Sequence, residues 1–283
     1  MTQNPQITPE WIAVDCSATQ MRATAMGAAG PLAQATGETS KDLEAALLCL
    51  IAPWLSAQTT PVIACGWDAA PFRAVPCMPA DAATLVDIPT EDARISLRIA
   101  PGLSQTNPAD MMCGEETVIA GALALNPDFD GVICLPGLHS RWVHVSAKEV
   151  VSFQTFLTGE LFSLLSQPDD TLDGFDPTAF EAALSETLSR PEKLGAKLFS
   201  LRAEVALMGL SPRAARSGLV GLLIGTELAA AKPYWLGQPI ILIGAPGQCD
   251  HYAHALRQQG ITPATLDAGD CALAGLSKLR GLL

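Results

Sequence analysis

The sequence has little positive charge. Its 17 lysine and arginine residues face 29 aspartate and glutamate residues, which gives a formal net charge of −12 at pH 7. A surface with this balance repels nucleic-acid backbones and anionic lipid headgroups, so we expect neither nucleic acid nor a membrane surface as a partner. A nucleotide is not excluded, because backbone N–H groups and a metal ion can hold phosphates locally.

Paired cysteines and long apolar runs are also missing. The eight cysteines include no C-x-x-C pair, which argues against a zinc ribbon or a thioredoxin-like site. Residues 1–9 are polar, unlike the apolar core of a signal peptide. The most apolar stretch, residues 219–231, is short and interrupted by glycines and by Glu227, so it should not span a bilayer. These absences predict a soluble, reduced, cytoplasmic protein.

Two strand–turn–strand patterns stand out among the residues that are present. A strand over 11–14 leads into a polar turn at Asp15 and returns over 21–26. The same plan recurs later, with strands over 131–135 and 141–146 joined by a Pro-Gly turn. The sequence therefore predicts a duplicated β-meander, although no sequence repeat is visible.

Asn-Pro-Asp at 126–128 is the most plausible boundary between the two halves. We predict two lobes, residues 1–125 and residues 126–283. Helices are predicted over 41–52, 117–125, 217–231, 249–259 and from 268 onwards. Residues 168–177, with four aspartates, are expected to form an exposed loop.

The first turn carries residues suited to phosphate chemistry. Asp15 can hold Mg²⁺ through water, because this ion keeps much of its hydration shell, and Ser17 and Thr19 can donate hydroxyl hydrogen bonds within the same turn. Arg22, on the returning strand, can pair with substrate or phosphate. The alternative is a capped hairpin with a surface arginine.

Glu115 and Glu116 open the predicted helix over 117–125. Glu115 is the candidate general base, which would accept the proton of an attacking hydroxyl. Glu116 points about 100° away around a helix, so only one of the two can face a cleft. The alternative is a pair of acids that stabilises the helix N-terminus through its dipole.

The second turn and a later loop carry further phosphate candidates. Gly137 and His139 lie in the Pro-Gly turn and Arg141 follows it, where a cation or donor can reach phosphate oxygens. Gly244 and Gly247 come between a buried strand and a helix, an arrangement that resembles a nucleotide-contact loop. The alternative for His139 is a turn histidine whose ring is hydrogen-bonded within the protein.

Taken in order, four motifs resemble those of the 2-dehydro-3-deoxygalactonokinase family. They are Gly-Glu-Glu-Thr at 114–117, Pro-Gly-x-His-Ser-Arg-Trp-Val at 136–143, Thr-Gly-Glu-Leu at 158–161 and Gly-Leu-Leu-Ile-Gly-x-Glu at 221–227. The resemblance spans nearly the whole chain. It implies an α/β fold of two actin-like (ribonuclease H-like) lobes, with mixed sheets and an ATP cleft between them.

The resemblance also implies an activity and residue roles. The activity is phosphorylation of 2-dehydro-3-deoxygalactonate at its terminal 6-hydroxyl by ATP, with Mg²⁺ as the metal. Glu115 takes the place of the catalytic acid, and Arg22, Trp67 and Glu116 are assigned to the sugar acid. Gly221 and Gly225 of the last motif are assigned to the nucleotide. The sequence does not fix the oligomeric state, and a homo-oligomer is compatible with it.

The chain departs from the family pattern around the expected cleft. Ser17 replaces a glycine, Leu138 replaces a threonine, and Cys113 replaces an arginine. A Cβ at residue 17 can crowd the approach of backbone to phosphate. The alternative function is therefore that of a catalytically degenerate relative, which binds a sugar acid or a protein partner without phosphoryl transfer.

Overall fold

The computed structural model describes residues 7–17, 19–166 and 174–281. Most of the predicted acidic loop lies outside these ranges. In the described part of the chain, no helix has both the length and the apolarity needed to cross a lipid bilayer. All eight cysteines fall within the described ranges, and there they form no disulfide bond.

The strands follow the predicted pattern in both halves. In chain order they are β1 (Trp11–Cys16), β2 (Gln20–Gly27), β3 (Gly30–Glu38), β4 (Thr60–Cys65), β5 (Arg73–Ala74), β6 (Val86–Ile88), β7 (Ile95–Ile99), β8 (Leu103–Thr106), β9 (Ala109–Met112), β10 (Gly131–Leu135), β11 (Ser140–Ser146), β12 (Glu149–Phe156), β13 (Ile240–Ile243) and β14 (Ala264–Leu266).

The helices include all five that the sequence predicts. In chain order they are α1 (Leu43–Ile51), α2 (Glu115–Leu125), α3 (Thr158–Leu165), α4 (Pro177–Ser189), α5 (Leu194–Met208), α6 (Pro212–Ala230), α7 (Lys232–Trp235), α8 (Pro246–Gln258) and α9 (Ala268–Arg280). Side-chain caps stand at three of their starts, before α1, α4 and α6. The Asp42 carboxylate accepts a hydrogen bond from the Ala45 N–H before α1, and the Ser211 hydroxyl accepts one from the Ala214 N–H before α6.

The contacts divide the chain into two compact units. Unit 1 contains the described residues of Met1–Phe129, Ser146–Ser152 and Ala268–Leu283. Unit 2 contains those of Asp130–Val145 and Phe153–Asp267. The predicted division at 125/126 thus needs a correction, because helix α9 belongs to unit 1. The physical reason is burial: Leu276 and Leu279 of α9 share a core with Trp11 and Ile63.

Unit 1 is built on a six-stranded sheet in the order β3–β2–β1–β4–β7–β6. β1 pairs antiparallel with β2 and parallel with β4. Every residue of β1 except Asp15 is buried, as expected for a central strand. A separate sheet of β5, β8 and β9 was not predicted from the sequence. The carboxyl ends of β1 and β4 therefore lie side by side in unit 1.

Unit 2 repeats the same plan. Its sheet has the order β11–β10–β13–β14, with β10 antiparallel to β11 and parallel to β13, and residues 153–156 of β12 extend it beyond β11. All residues of β10 and of β13 are buried. Each unit therefore starts with a three-stranded meander and continues with parallel strands, which confirms the duplicated plan.

Candidate active site

In unit 1, three backbone segments meet at the ends of β1 and β4 and at the start of α2. Gly66, which follows β4, has a φ of +72°, and a Cβ there would lie 1.9 Å from the Cys16 carbonyl oxygen. Gly114, the residue before α2, has a φ of +106°, and a Cβ there would lie 3.1 Å from the Gly66 Cα. Only glycine fits both the positive φ and the close approach. These two glycines bring Asp15 and Glu115 to the same edge of unit 1.

Asp15 lies between a thiol and a guanidinium. It pairs with Arg22 of β2 in the antiparallel register, and the Cys65 thiol donates to its Oδ1 with 3.6 Å between sulfur and oxygen. Burial raises the pKa of the Asp15 carboxyl, while the Cys65 thiol and the Arg22 charge act in the opposite direction. The fold thus places the Asp15 carboxyl group at the end of β1, where the sequence predicted it.

Ser17 closes the first turn with its own hydrogen bonds. Its N–H and its hydroxyl donate to the Gln20 carbonyl oxygen at 2.8 and 3.0 Å, and the Gln20 N–H donates to the Ser17 Oγ at 3.1 Å. The side chain of Thr19 is exposed, and its carbonyl oxygen accepts from the Thr39 N–H. In this conformation the Ser17 hydroxyl caps the hairpin, as the alternative interpretation proposed.

The two acids of α2 occupy different environments. Glu115 is half-buried, and its Oε2 accepts a hydrogen bond from the Cys113 N–H at 3.2 Å. Glu116 is 0% exposed, and its Oε2 accepts from the Gly114 N–H at 2.7 Å. Burial, followed by the Glu115 charge, raises the pKa of Glu116 to about 8. Of the two, Glu115 therefore has the carboxylate that a substrate can reach.

Two residues assigned to the sugar acid lie inside unit 1. Trp67 is 8% exposed and packs in the core that contains Ile12 and Val14. Glu116 is enclosed at the start of α2, where it also accepts from the Thr117 hydroxyl at 3.1 Å. Both side chains are buried within unit 1. Their burial does not support direct contact with the substrate. Arg22, which is half-buried beside Asp15, stays a candidate.

In unit 2, the second turn is held by the first residues of α3. The Glu160 N–H donates to the Leu138 carbonyl oxygen at 2.9 Å, and the Glu160 Oε2 lies 3.0 Å from the His139 Nε2. A Cβ at Gly159 would lie 2.2 Å from the Gly137 carbonyl oxygen. The Thr-Gly-Glu-Leu motif at 158–161 contains Glu160, but the sequence assigned this residue no role. Only the folded chain shows that it contacts the second turn.

Arg141 lies on β11 beside the same turn. It is 9% exposed, and its Nη1 donates to the His139 carbonyl oxygen at 3.2 Å. Unit 2 thus places Gly137, His139 and Arg141 in one hairpin, as the sequence predicted.

A pocket of about 410 Å³ lies beside this hairpin within unit 2. Its size is that of an ordinary small-molecule site. Gly137 and Leu138 form part of the wall, and the Arg216 guanidinium lies 5.2 Å from the centroid of the Phe162 ring. Further lining residues come from α6 and α8, namely Val220, Leu223, Ile224, Gln248, His251 and Tyr252. We call this cavity the unit 2 pocket.

A buried carboxylate connects three of the elements around the unit 2 pocket. Glu227 of α6 accepts hydrogen bonds from the Ser140 hydroxyl and the Trp142 indole N–H, at 2.6 and 2.7 Å. It also accepts from the Thr158 hydroxyl, and from the Tyr252 hydroxyl at 2.7 Å. Burial raises the pKa of Glu227, and these four hydrogen bonds oppose the shift. Glu227 is the last residue of the motif at 221–227, but the sequence analysis assigned it no role.

Gly221 and Gly225 face helix α4. A Cβ at Gly221 would lie 2.4 Å from the Phe180 carbonyl oxygen, and one at Gly225 would lie 2.4 Å from the Thr187 Oγ1. Glycines four residues apart share one face of a helix, and here they allow α4 and α6 to pack closely. This packing does not support nucleotide contact by these two glycines, which stays a prediction, whereas their neighbours Val220, Leu223 and Ile224 line the pocket.

The loop between β13 and α8 lies at the pocket. A Cβ at Gly244 would lie 2.8 Å from the carbonyl oxygen of Pro136, a pocket residue, whereas one at Gly247 would have no neighbour within 4 Å. Gln248 follows directly and lines the pocket. Nucleotide contact by Gly244 and Gly247 therefore stays a prediction, and Gly247 has open space beside it.

The donor set of unit 1 suits a metal that shares its coordination with a ligand. In the described ranges, no group of three or more His, Cys, Asp and Glu residues is arranged to hold a metal ion by itself. Mg²⁺ in phosphate-binding sites takes one or two carboxylates and completes its shell with phosphate oxygens and water. The Asp15 carboxylate fits that pattern.

Comparison with known proteins bears on the chemistry of this site. A family described as 2-keto-3-deoxy-galactonokinase matches residues 15–279. A protein of Rhizobium meliloti (strain 1021), named probable 2-dehydro-3-deoxygalactonokinase DgoK1, is 36% identical over 236 residues, covering 77% of this chain and 76% of the relative. The 2-dehydro-3-deoxygalactonokinase of Escherichia coli (strain K12) is 30% identical over 295 residues, covering 96% and 98%.

Solved structures support the fold. The crystal structure of a candidate 2-dehydro-3-deoxygalactonokinase from Sinorhizobium meliloti superposes with a TM-score of 0.84 at 31% identity, covering 95% of each chain. The activator of the 2-hydroxyisocaproyl-CoA dehydratase from Clostridium difficile, with bound ADPNP, gives a TM-score of 0.54 at 10% identity, covering 96% of each chain. At that identity the likeness concerns the fold alone. The actin-like α/β fold implied by the motifs is confirmed.

Proposed function

Because this chain belongs to the 2-keto-3-deoxy-galactonokinase family and is thus a sugar-acid kinase, we propose that it transfers the γ-phosphoryl group of ATP to the terminal 6-hydroxyl of 2-dehydro-3-deoxygalactonate. The observation that supports this proposal most strongly is the position of the Glu115 carboxylate. This half-buried carboxylate is fixed by the Cys113 N–H at the start of α2, at the same edge of unit 1 as Asp15. A base held in this way needs no reorganisation before it accepts a proton.

The residues of unit 1 take the proton and hold the acceptor. Glu115 accepts the proton of the sugar hydroxyl as its oxygen attacks the γ-phosphorus, a role worth roughly 10²–10⁴-fold in rate. Arg22 pairs with the anionic sugar acid or with phosphate. Asp15 would hold Mg²⁺, which supplies charge neutralisation at the phosphates when it is bound.

The residues of unit 2 hold the nucleotide. The apolar walls and the volume of the unit 2 pocket suit the adenosine part of ATP. The hairpin with Gly137, His139 and Arg141 provides backbone and side-chain donors for phosphate oxygens at the edge of this pocket. Gly247 offers an open backbone at the first turn of α8, where N–H groups favour an anion.

The alternative is sugar-acid binding without phosphoryl transfer. One observation favours it: the Ser17 hydroxyl is bonded within its own turn to Gln20, so in this conformation it donates nothing to a phosphate. We rank it second because the Glu115 carboxylate and the second hairpin keep the residues that a kinase needs.

The experiment is a coupled assay for ADP formation with purified protein, Mg-ATP and 2-dehydro-3-deoxygalactonate, followed by phosphorus NMR of the product. If the proposal is correct, ADP forms only when the sugar acid is present. The phosphorus NMR signal of the product is then coupled to the protons at C6. A reaction without the sugar acid measures background ATP hydrolysis. If calorimetry detects sugar-acid binding while no ADP forms, the alternative is correct, and a phosphate at another carbon refutes the 6-hydroxyl.

A further inference from the structure

We propose that Glu227 is a positioning residue for nucleotide binding, which sets the shape of the unit 2 pocket without touching the nucleotide. The inference rests on the proposed function, because it takes the unit 2 pocket to be the nucleotide site. Glu227 itself does not line the pocket, and it is 2% exposed.

The argument starts from the partners of the Glu227 carboxylate. Its Oε1 accepts from the Trp142 indole N–H, and its Oε2 accepts from the hydroxyls of Ser140, Thr158 and Tyr252. All four donors are neutral, so each hydrogen bond is strengthened by the charge of the acceptor. In sequence the donors are 25 to 87 residues away from Glu227. The carboxylate therefore joins β11, the start of α3, and α8 to α6.

Two of those four donors line the unit 2 pocket. Thr158 stands at the start of α3, whose next residues hold the second turn, and Tyr252 lies on α8 in the same wall as Gln248. Moving either donor away from Glu227 changes the cavity. A third donor, Ser140, directly follows His139 of the hairpin and is 0% exposed. One carboxylate thus fixes the pocket wall and the base of the phosphate hairpin together.

The same hydrogen bonds determine what the pocket offers a ligand. A hydroxyl that donates its only hydrogen to Glu227 has only lone pairs left for another partner. This applies to Thr158 and Tyr252, and the Ser163 hydroxyl is likewise committed to the Gly159 carbonyl oxygen at 2.9 Å. The hydroxyls of the pocket wall can then only accept hydrogen bonds from a ligand. Side-chain donors must come from Arg216, Gln248 or His251.

Glu227→Gln is the sharpest variant because it keeps the shape and removes the charge. The indole N–H of Trp142 can only donate, so the amide oxygen must face it and the amide nitrogen must face the three hydroxyls. Those hydroxyls can accept, but one NH₂ group has only two hydrogens for three of them. We expect a folded protein in which at least one of the hydroxyls of Ser140, Thr158 and Tyr252 has lost its fixed orientation.

The measurement is calorimetric titration with Mg-ATP, and separately with 2-dehydro-3-deoxygalactonate, at one pH. We expect Glu227→Gln to raise the Kd for Mg-ATP by about tenfold, the scale of one hydrogen bond to a charged group. The Kd for the sugar acid should stay within about twofold of the wild type, because the variant acts only in unit 2. Ser140→Ala removes one donor outside the pocket lining and should weaken Mg-ATP binding in the same direction, by less.

Thr187→Val is the matched control. The Thr187 hydroxyl donates to the Leu222 carbonyl oxygen at 2.8 Å, so this variant also removes a buried hydrogen bond to α6. Thr187 is 0% exposed and does not line the pocket. We expect it to lower the melting temperature and to leave the Kd for Mg-ATP unchanged.

The outcomes separate the two proposals. If the wild type binds Mg-ATP and Glu227→Gln binds it within about twofold of the same Kd, the positioning role is refuted while the proposed function stands. Equal weakening by Thr187→Val also refutes it, since any loss of stability would then have the same effect. If Glu227→Gln does not fold, an unchanged Kd in Ser140→Ala refutes the role. A wild type that forms no complex with Mg-ATP overturns the proposed function and this inference together.

Discussion

Each unit of the protein contains a buried glutamate beside its candidate site, and the two glutamates differ in how they are held. Glu116 in unit 1 accepts from the Gly114 N–H and the Thr117 hydroxyl, both within two residues of it. Glu227 in unit 2 accepts from four donors at least 25 residues away. The first is a local cap of a helix, and the second is a long-range junction between elements.

The electrostatic settings differ as well. Burial raises the pKa of both carboxyls, but at Glu116 the neighbouring charge of Glu115 adds to the rise and brings the pKa to about 8. At Glu227, four hydrogen bonds to the charged form act against burial. The comparison teaches that burial alone does not decide the role of an acid. Glu116 is suited to be a local cap, and Glu227 is suited to join distant elements as an acceptor.

The largest effect should come from removing the two carboxylates in turn. Glu227→Ala leaves several buried donors without their acceptor, so we expect the free energy of unfolding to fall by about 3–4 kcal/mol. Glu116→Ala removes a local cap and should cost about 1–2 kcal/mol. Chemical denaturation followed by circular dichroism measures both. A loss at Glu116→Ala equal to or larger than that at Glu227→Ala would contradict the distinction between junction and cap.

A smaller effect should follow from disturbing the helix that carries Glu227. Gly225→Ala would place a methyl group 2.4 Å from the Thr187 Oγ1, so α4 and α6 must separate. We expect a loss of about 2 kcal/mol in the free energy of unfolding. Because Glu227 is two residues further along α6, the Kd for Mg-ATP should rise too. A variant as stable as the wild type would show that this helix contact is looser than described.

The pH dependence of stability should reveal the neutral cap in unit 1. Between the ordinary value of 4.5 and about 8, folded Glu116 keeps a proton that the unfolded chain releases. This proton makes the free energy of unfolding fall as pH rises through that window, by at most about 1.4 kcal/mol per pH unit. Glu116→Gln mimics the protonated form and should flatten the dependence. Identical pH profiles for variant and wild type would show that Glu116 is charged in the folded protein.

The smallest effect is expected at Gly247. Nothing lies within 4 Å of a Cβ at this position, in the first turn of α8. Gly247→Ala should therefore raise the free energy of unfolding by about 0.5 kcal/mol through helix propensity. A matching rise in the Kd for Mg-ATP would support contact between this backbone and the nucleotide. A clear loss of stability would contradict the open space, and an unchanged Kd would remove Gly247 from the proposed nucleotide site.

Local features of the fold could be predicted from the sequence. The strand over 11–14, the acidic start of α2 and the duplicated meander follow from alternation, capping and turn residues, which act over a few positions. The motif order also led to the correct family and fold. Glu116 shows what the sequence could not decide. Its position suggested either a helix-dipole role or contact with the substrate, and its burial in the fold favours the helix-dipole role.

Contacts between residues far apart in the sequence could not be predicted from it. Four donors from three other elements converge on Glu227, and no periodicity within α6 indicates them. Gly221 and Gly225 carried a clear small-residue spacing, yet spacing does not say whether a ligand or a helix fills the groove. Trp67 next to Gly66 suggested a sugar contact, whereas its ring packs in the core of unit 1. Helix α9 likewise follows unit 2 in sequence but packs in unit 1.

The central claim is that Glu115, and not its neighbour Glu116, is the base of a sugar-acid kinase. The most direct measurement is the pair of variants Glu115→Gln and Glu116→Gln, assayed for kcat and for both KM values at pH 7. Glu115→Gln should lower kcat by roughly 10²–10⁴-fold with both KM values little changed, while Glu116→Gln keeps most of the wild-type turnover. Full turnover in Glu115→Gln, or a larger loss in Glu116→Gln, would contradict the account.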